Sequence, residues 1–260
     1  MKKVLSIAGS DCSGGAGIQA DLKTFSAHRT YGMSVITSVV AENTCKVISI
    51  HNVPIERIKD QMDAVFTDIT PDAVKVGMLS DEQVMQAVAE KLMEYKVEQA
   101  VIDPVMIAKG GCSLMEEEAL NTLLEKVIPL AYLLTPNIPE AETILNRKIE
   151  TVEDMKQAGR SICQLGAKNV LIKGGHFSGE PVDVLFDGAD HYLFHGARID
   201  SKNTHGTGCT LSSAITANLA NGFSLEKAVE QGKQYVADAI LNTQKIGHGH
   251  GPVHHFYRWF

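Results

Sequence analysis

The stretch Asn203-Thr-His-Gly-Thr-Gly-Cys-Thr210 has the make-up of an anion-binding turn. Leu211, Ala214, Ile215 and Leu219 follow at helical spacing, so the glycine-spaced turn opens a helix. The backbone N–H groups of Gly206, Thr207, Gly208 and Cys209 then point out of the helix start, where no intrahelical acceptor exists. Such a nest stabilises the charge of a phosphoryl group in transfer. Cys209 sits where the helix dipole and a bound cation favour thiolate, which makes it a candidate base or nucleophile. The competing reading is a small residue buried at a helix start, since free Cys is commonly a core residue.

Other candidates sit where short apolar runs stop. These are Gly9–Asp11, Glu42-Asn43, Gly77-Met78, Asp103, Asn137 with Glu140, and Lys173. In open α/β sheets ligands bind beyond the carboxyl ends of the strands, so these residues converge on one rim. Turn chemistry explains each alone; their joint placement points to a site. Gly14-Gly-Ala-Gly17 also precedes a helix and could present N–H groups to a ligand. No G-x-x-x-x-G-K-S/T loop occurs, and glycines 9, 14, 15 and 17 cannot form G-x-G-x-x-G. No nucleophile elbow and no H-E-x-x-H helix is found. His248, His250, His254 and His255 cluster in sequence, but no carboxylate or Cys completes a recognised metal spacing. Met78 and Met106 read as core or pocket wall.

These positions need elements to hold them. Val4–Ala8 reads as a first strand, and a helix follows the glycines through about Ala27. Ser34–Val40 and Val47–Val53 read as extended. Val84, Val88, Leu92 and Tyr95 share one helical face, as do Leu120, Leu123, Leu124 and Val127. Met155, Ala158, Ile162 and Leu165 make another, opened by the cap Thr151-Val-Glu-Asp154. Between these helices lie the short apolar runs Ala73–Val76, Ala100–Ile102, Tyr132–Leu134 and Val170–Ile172. The alternation predicts βαβ units and a mainly parallel sheet. Val182–Phe186 and Tyr192–Phe194 flank Asp187-Gly188, a hairpin signal. Cys209–Leu219 and Leu225–Leu241 close the chain as helices. With no repeat or linker, residues 1–260 are expected to form one domain.

Composition bounds the partners. The chain has 260 residues and a formal net charge of −7. An acidic balance argues against nucleic-acid or anionic-membrane partners, which call for a basic face. The first residues hold too short an apolar run for a signal-peptide core, and nothing is long enough to span a bilayer. Cys12, Cys45, Cys112, Cys163 and Cys209 form an odd, sparse set without C-x-x-C. A disulfide framework is therefore not expected, and the reducing cytoplasm is the expected compartment.

Together these motifs resemble one family. Ile7-Ala-Gly-Ser-Asp-x-Ser-Gly-Gly-Ala-Gly-Ile-Gln-Ala-Asp-Leu-Lys-Thr24 is similar to the N-terminal signature of the hydroxymethylpyrimidine/phosphomethylpyrimidine kinases of thiamin biosynthesis. The resemblance continues through Val40–Thr44, Lys75–Leu79, Asp103–Met106, Thr135–Glu140, Lys173–His176, Asn203–Thr210 and Gly251–His255. It covers essentially the whole chain. It implies a ribokinase-like α/β fold with a central sheet wrapped by helices on both faces. It also implies ATP and Mg²⁺, two successive phosphorylations of one small pyrimidine, and commonly a homodimer.

Roles carry over by position. Gly206, Thr207, Gly208 and Cys209 would form the anion hole, with Cys209 where sugar kinases of the superfamily place an Asp base. Asp103, Asn137 and Glu140 would organise Mg²⁺, largely through water. Lys173 would meet the nucleotide phosphates, with Lys202 and Thr204 nearby. Gly9, Asp21, Glu42 and Met78 would line the pyrimidine site. The family pattern often has Gln where this chain has Glu42, and an ionised Glu can only accept a hydrogen bond.

Two rival readings stay open. Relatives with this N-terminal signature phosphorylate vitamin B6 alcohols, and some carry a second Cys where this chain has Ala108, with Cys112 a few residues on. The other rival is a non-catalytic pyrimidine- or nucleotide-binding protein that retains the fold.

Overall fold

Alternate residues of the central strands are buried on opposite sides of the sheet, and each side has its own helices. A computed structural model describes residues 1–106, 119–175 and 180–260. Ala108, Cys112 and His176 lie outside these described residues. The strands are β1 Lys3–Asp11, β2 Tyr31–Glu42, β3 Val47–Asn52, β4 Ala73–Val76, β5 Ala100–Ile102, β6 Leu133–Leu134, β7 Val170–Ile172, β8 Val182–Phe186 and β9 His191–His195. They form one sheet in the order β3-β2-β1-β4-β5-β6-β7-β8-β9. Pairings from β2 through β1, β4, β5 and β6 to β7 are parallel. The edges, β2–β3, β7–β8 and β8–β9, are antiparallel.

The helices are α1 Gly17–Ala27, α2 Ile55–Phe66, α3 Glu82–Glu94, α4 Ala119–Thr122, α5 Ile138–Leu145, α6 Val152–Gln164, α7 Thr207–Ala220 and α8 Leu225–Leu241. Leu5, Ile7, Val74, Val76, Ile102 and Leu134 pack with α2, α3, α5 and α6. Val101, Leu133 and Leu171 face the other way, onto Leu211 and Ile215 of α7 and Val229 of α8. Val4 and Ala73 meet Phe25 of α1 and Ala217 of α7. Covering both faces is why these strands read as continuous apolar runs rather than alternating ones. Each fully buried Val, Leu or Ile side chain contributes about 1.5–3 kcal/mol of transfer free energy.

Capping explains several helix starts. Asp81, Asn137, Thr151 and Ser224 each accept an N–H in the first turn of α3, α5, α6 and α8. Thr151 and Asp154 form the expected capping box, and Asn137 with Glu140 forms a second. No side chain caps α1 or α7, and both helices begin at the cavity described below.

Several sequence expectations shift. Helices α2 and α5 were not expected; Ile58, Met62 and Phe66 supply the buried stripe of α2. The helical face Leu120–Val127 is not one regular helix. After α4 it passes through a π turn, Leu123–Val127, and a 3₁₀ turn at Ile128–Leu130, with Pro129 in the latter. Leu165 follows α6 at its C-cap and is 37% exposed, so it leaves the buried face of Met155, Ala158 and Ile162. Among the described residues no helix is long and apolar enough to cross a membrane.

Candidate active site

The carboxyl ends of the parallel strands and the starts of α1 and α7 border one cavity of about 1750 Å³. Small-molecule pockets commonly measure about 300–1,000 Å³, so this one has room for two ligands side by side. Gly9, Glu42, Met78, Asp103, Asn137, Glu140, Lys173, Thr204, Gly206, Thr207, Gly208 and Cys209 all line it. Residues from opposite ends of the chain therefore meet, as the strand-end argument requires.

Two predicted residues are placed elsewhere. Asp21 is fully buried behind the wall. Its carboxylate is taken up by Lys75 Nζ, Ser6 Oγ and Ser213 Oγ. Fully buried and absent from the cavity wall, it does not line a pyrimidine site, and the expectation for it is corrected. Lys202 is exposed and lies outside the cavity wall. Its carbonyl accepts from Thr204 N–H and faces His250 Nδ1.

The start of α7 has the geometry of an anion hole. Gly206 is its N-cap at φ +77, a left-handed conformation that favours glycine. A Cβ there would also overlap the Gly15 carbonyl oxygen. Among the described residues no acceptor faces the N–H groups of Gly208 and Cys209, while Thr207 N–H reaches the Thr204 carbonyl at 3.5 Å. Asp103 Oδ2 and Lys173 Nζ lie 3.4 and 3.6 Å from where a Gly208 Cβ would stand.

Lys173 pairs with Asp103 and lies in the field of Glu140. Its Nζ donates to Asp103 Oδ1 at 2.7 Å, and Thr135 Oγ1 donates to the same oxygen at 3.0 Å. Burial works against the Lys173 ammonium, but the Asp103 and Glu140 charges outweigh it and hold the group above the usual lysine range. Burial pushes the Glu140 carboxyl up to about 7, opposed by the Lys173 charge and reinforced by Asp103. Two carboxylates crowded against a single ammonium are a donor set that a divalent cation fits, because added positive charge relieves their mutual repulsion.

Cys209 is half-buried and receives the Gly17 N–H. Burial pushes its thiol up to about 11; Lys75 opposes this, while Asp21 and Asp103 add to it. Burial thus holds Cys209 as a thiol against the nearby Lys75 charge; a thiolate there depends on further positive charge, such as a bound cation. Ser213 lies one turn further along α7 on the same face, and it bonds Asp21. The Lys75–Asp21 ion pair thus sits directly under Cys209.

Glu42 ends β2 at the other side of the cavity. Burial pushes its carboxyl up to about 7; the Asp11 charge and a hydrogen bond with Asp11 add to this, and His205 opposes it. Asp11, Glu42 and His205 bring ligand atoms within 4.8 Å of one another. Both Asp11 oxygens already accept protein donors, so this cluster is a proton-sharing group rather than an open cation cage. Gly9 forms the floor beside Glu42. A Cβ on it would lie 2.7 Å from Met78 Cε and 2.8 Å from Ser38 Oγ.

The family resemblance assigns no role to Asp11, His205 or Lys75, although Asp11 is among the strand-end candidates. For Lys75 the signal was a charge inside the apolar run Ala73-Val-Lys-Val76, which demands a buried partner. His255, from the C-terminal histidine cluster, is instead buried against Thr210 Oγ1 at 3.1 Å. Burial pulls its ring down to about 3, so it stays neutral.

Comparison with known proteins identifies the family. The family model for phosphomethylpyrimidine kinase matches residues 11–254. The thiamine biosynthesis bifunctional protein ThiED of Geobacter sulfurreducens is 52% identical over 97% of this chain and 52% of that protein, so the chain spans about half its length. The hydroxymethylpyrimidine/phosphomethylpyrimidine kinase of Bacillus subtilis is 47% identical over 98% of this chain and 94% of that one. The solved phosphomethylpyrimidine kinase of Clostridium difficile superposes with a TM-score of 0.84 at 49% identity, covering 92% of this chain and 100% of that one. An ADP complex of Bacillus subtilis pyridoxal kinase gives 0.91 at 38% identity, covering 98% and 97%. Backbone likeness does not separate the two activities, whereas sequence identity favours the pyrimidine kinases. The fold, the family match over most of its length and these identities make the chain a member of the phosphomethylpyrimidine kinase family.

Proposed function

We propose that this chain transfers the γ-phosphoryl group of ATP to the hydroxymethyl oxygen of 4-amino-5-hydroxymethyl-2-methylpyrimidine, and then to the resulting monophosphate, in thiamin biosynthesis. The observation that carries this is one cavity with three parts in order. The Glu42–Gly9–Met78 pocket holds the acceptor, the free N–H groups of Gly208 and Cys209 face the moving phosphoryl, and Lys173 with Asp103 lies beyond.

In-line transfer needs positioning and neutralisation of charge on the phosphoryl oxygens. The N–H groups at the α7 start and the Lys173 ammonium supply both. The acceptor oxygen bonds to the γ-phosphorus as the bond to ADP breaks. Its proton leaves late in a loose transfer, so a base held mostly as its acid suffices. Cys209 takes that role through its minor thiolate form. In the second step the acceptor is already an anion and needs no base. Asp103, Asn137 and Glu140 would hold Mg²⁺, which when bound screens the phosphate charges. Asn137 and Glu140 are already oriented by their mutual capping bonds.

We read residues 1–260 as a single ribokinase-like domain acting as a cytoplasmic homodimer. Val39 and Ile48, 51% and 65% exposed at the β2–β3 edge, support self-association. The free thiols of Cys12, Cys45, Cys163 and Cys209 fit a reducing compartment.

The likeness to pyridoxal kinases favours a second reading, phosphorylation of pyridoxal or pyridoxine in vitamin B6 salvage. ADP release measured with each acceptor separates the two. It also separates both from a non-catalytic binder, which would release none.

A further inference from the structure

We propose that Asp11 and His205 form a positioning pair that fixes the anion hole to the acceptor pocket. The inference rests on the kinase reading above. Asp11 ends β1 and is 2% exposed. Its Oδ1 accepts Ser13 N–H at 2.7 Å, and its Oδ2 accepts Gly15 N–H at 3.0 Å and Ala16 N–H at 2.7 Å. One carboxylate therefore shapes the whole glycine-rich turn. The same Oδ2 faces His205 Nε2 at 2.8 Å across 194 positions of chain. Burial opposes the Asp11 charge, but the bonds from His205, Ser13 and Ala16 outweigh it and keep the carboxyl ionised. A ring nitrogen facing a carboxylate must donate, so Nε2 carries the proton.

His205 directly precedes Gly206, the first residue of the anion hole. Its own N–H donates to the Gly251 carbonyl at 3.1 Å, so the residue is fixed at backbone and side chain alike. Its ring fills the space that a Gly15 side chain would need, and Gly206 packs onto the Gly15 carbonyl. Glu42 stands within the same cluster, on the acceptor side. The turn, the hole and the pocket wall thus share one buried junction. Asp11 has its oxygens committed and acts through His205. The pair sets where the Gly208 and Cys209 N–H groups stand relative to the acceptor.

The pair serves phosphoryl positioning rather than proton removal, so both phosphorylation steps depend on it equally. The test compares wild type, His205→Ala and His205→Gln for kcat with the hydroxymethylpyrimidine and with its monophosphate, alongside melting temperature. Gln presents an Nε–H at similar reach. An ångström-scale shift of a catalytic group costs on the order of a hundredfold, so His205→Ala should lose about tenfold to a hundredfold in both steps. His205→Gln should restore most of that loss. Retention of wild-type kcat by His205→Ala would overturn the proposal. So would a loss confined to the first step, which would mark a proton path. Equal losses in the Ala and Gln variants would reduce His205 to a fold residue and overturn it as well. A wild-type enzyme that releases no ADP with either acceptor would instead overturn the kinase reading, and the proposal with it.

Discussion

Lys75 Nζ donates to Asp21 Oδ2 at 2.8 Å, with neither side chain exposed to water. Ser6 and Ser213 complete the carboxylate's hydrogen bonds, so the pair is satisfied as well as buried. Breaking such a pair leaves an uncompensated charge, at a cost of about 3–5 kcal/mol. Lys75→Met should therefore destabilise the protein by that amount in urea denaturation. Lys75→Met combined with Asp21→Asn should recover part of the loss. A double variant as unstable as the sum of its singles would show that the two groups are not coupled.

Glu42 changes its hydrogen-bonding character near neutral pH. Its carboxyl is raised to about 7, so below that pH it carries a proton, held by Asp11 until a ligand acceptor competes for it, and can then donate as well as accept, like an amide. The aminopyrimidine edge offers both a donor and an acceptor. KM for the hydroxymethylpyrimidine should therefore rise as pH increases through about 7, as the proton is lost. Glu42→Gln should be active and lack that rise. Superimposable profiles in the two proteins would remove Glu42's proton from the account.

Cys209 is a protonated thiol at neutral pH, with its titration pushed up to about 11. The thiolate fraction grows about tenfold per pH unit below that value. The first phosphorylation should thus accelerate between pH 7 and 9 while the second does not. Cys209→Ala should slow the first step by about a hundredfold, as expected for general-base loss, and abolish its pH slope. The second step should fall only a few-fold. Equal losses in both steps would leave Cys209 with a positional role alone.

Gly9 and Met78 share one space. A Gly9 side chain would meet Met78 Cε at 2.7 Å and push the thioether into the acceptor pocket. Gly9→Ala should raise KM for the pyrimidine about tenfold with KM for ATP unchanged. Met78→Ala in the same protein should relieve part of the effect. Steady-state kinetics on the four proteins of this cycle measure the coupling.

Much of this site could be read from residues alone because strand ends mark it. Gly9, Glu42, Asp103 and Lys173 terminate apolar runs, and the parallel sheet brings such ends to one rim. The α7 start was legible because glycines 206 and 208 flank a helical pattern. What stayed hidden depended on long-range pairing. Nothing local distinguishes an Asp21 that lines a pocket from one consumed by Lys75, 54 positions away. His205 and Asp11 are 194 positions apart and meet only once the fold is complete. The burial of the Cys209 thiol is hidden for a related reason. A helix start is visible in sequence, but the burial that outweighs it is not. Helix α5 is hard to see in sequence because Asn137 and Glu140, whose capping box opens it, double as candidate ligands at a strand end.

The central claim is acceptor-dependent phosphoryl transfer to a hydroxymethylpyrimidine. It is tested most directly by coupled ADP release with that pyrimidine, its monophosphate, pyridoxal and pyridoxine under identical conditions. The account predicts the highest kcat/KM for the pyrimidine and clear turnover of its monophosphate, with the B6 alcohols slower. Preferential turnover of pyridoxal or pyridoxine, or ADP release indifferent to every acceptor, would contradict it.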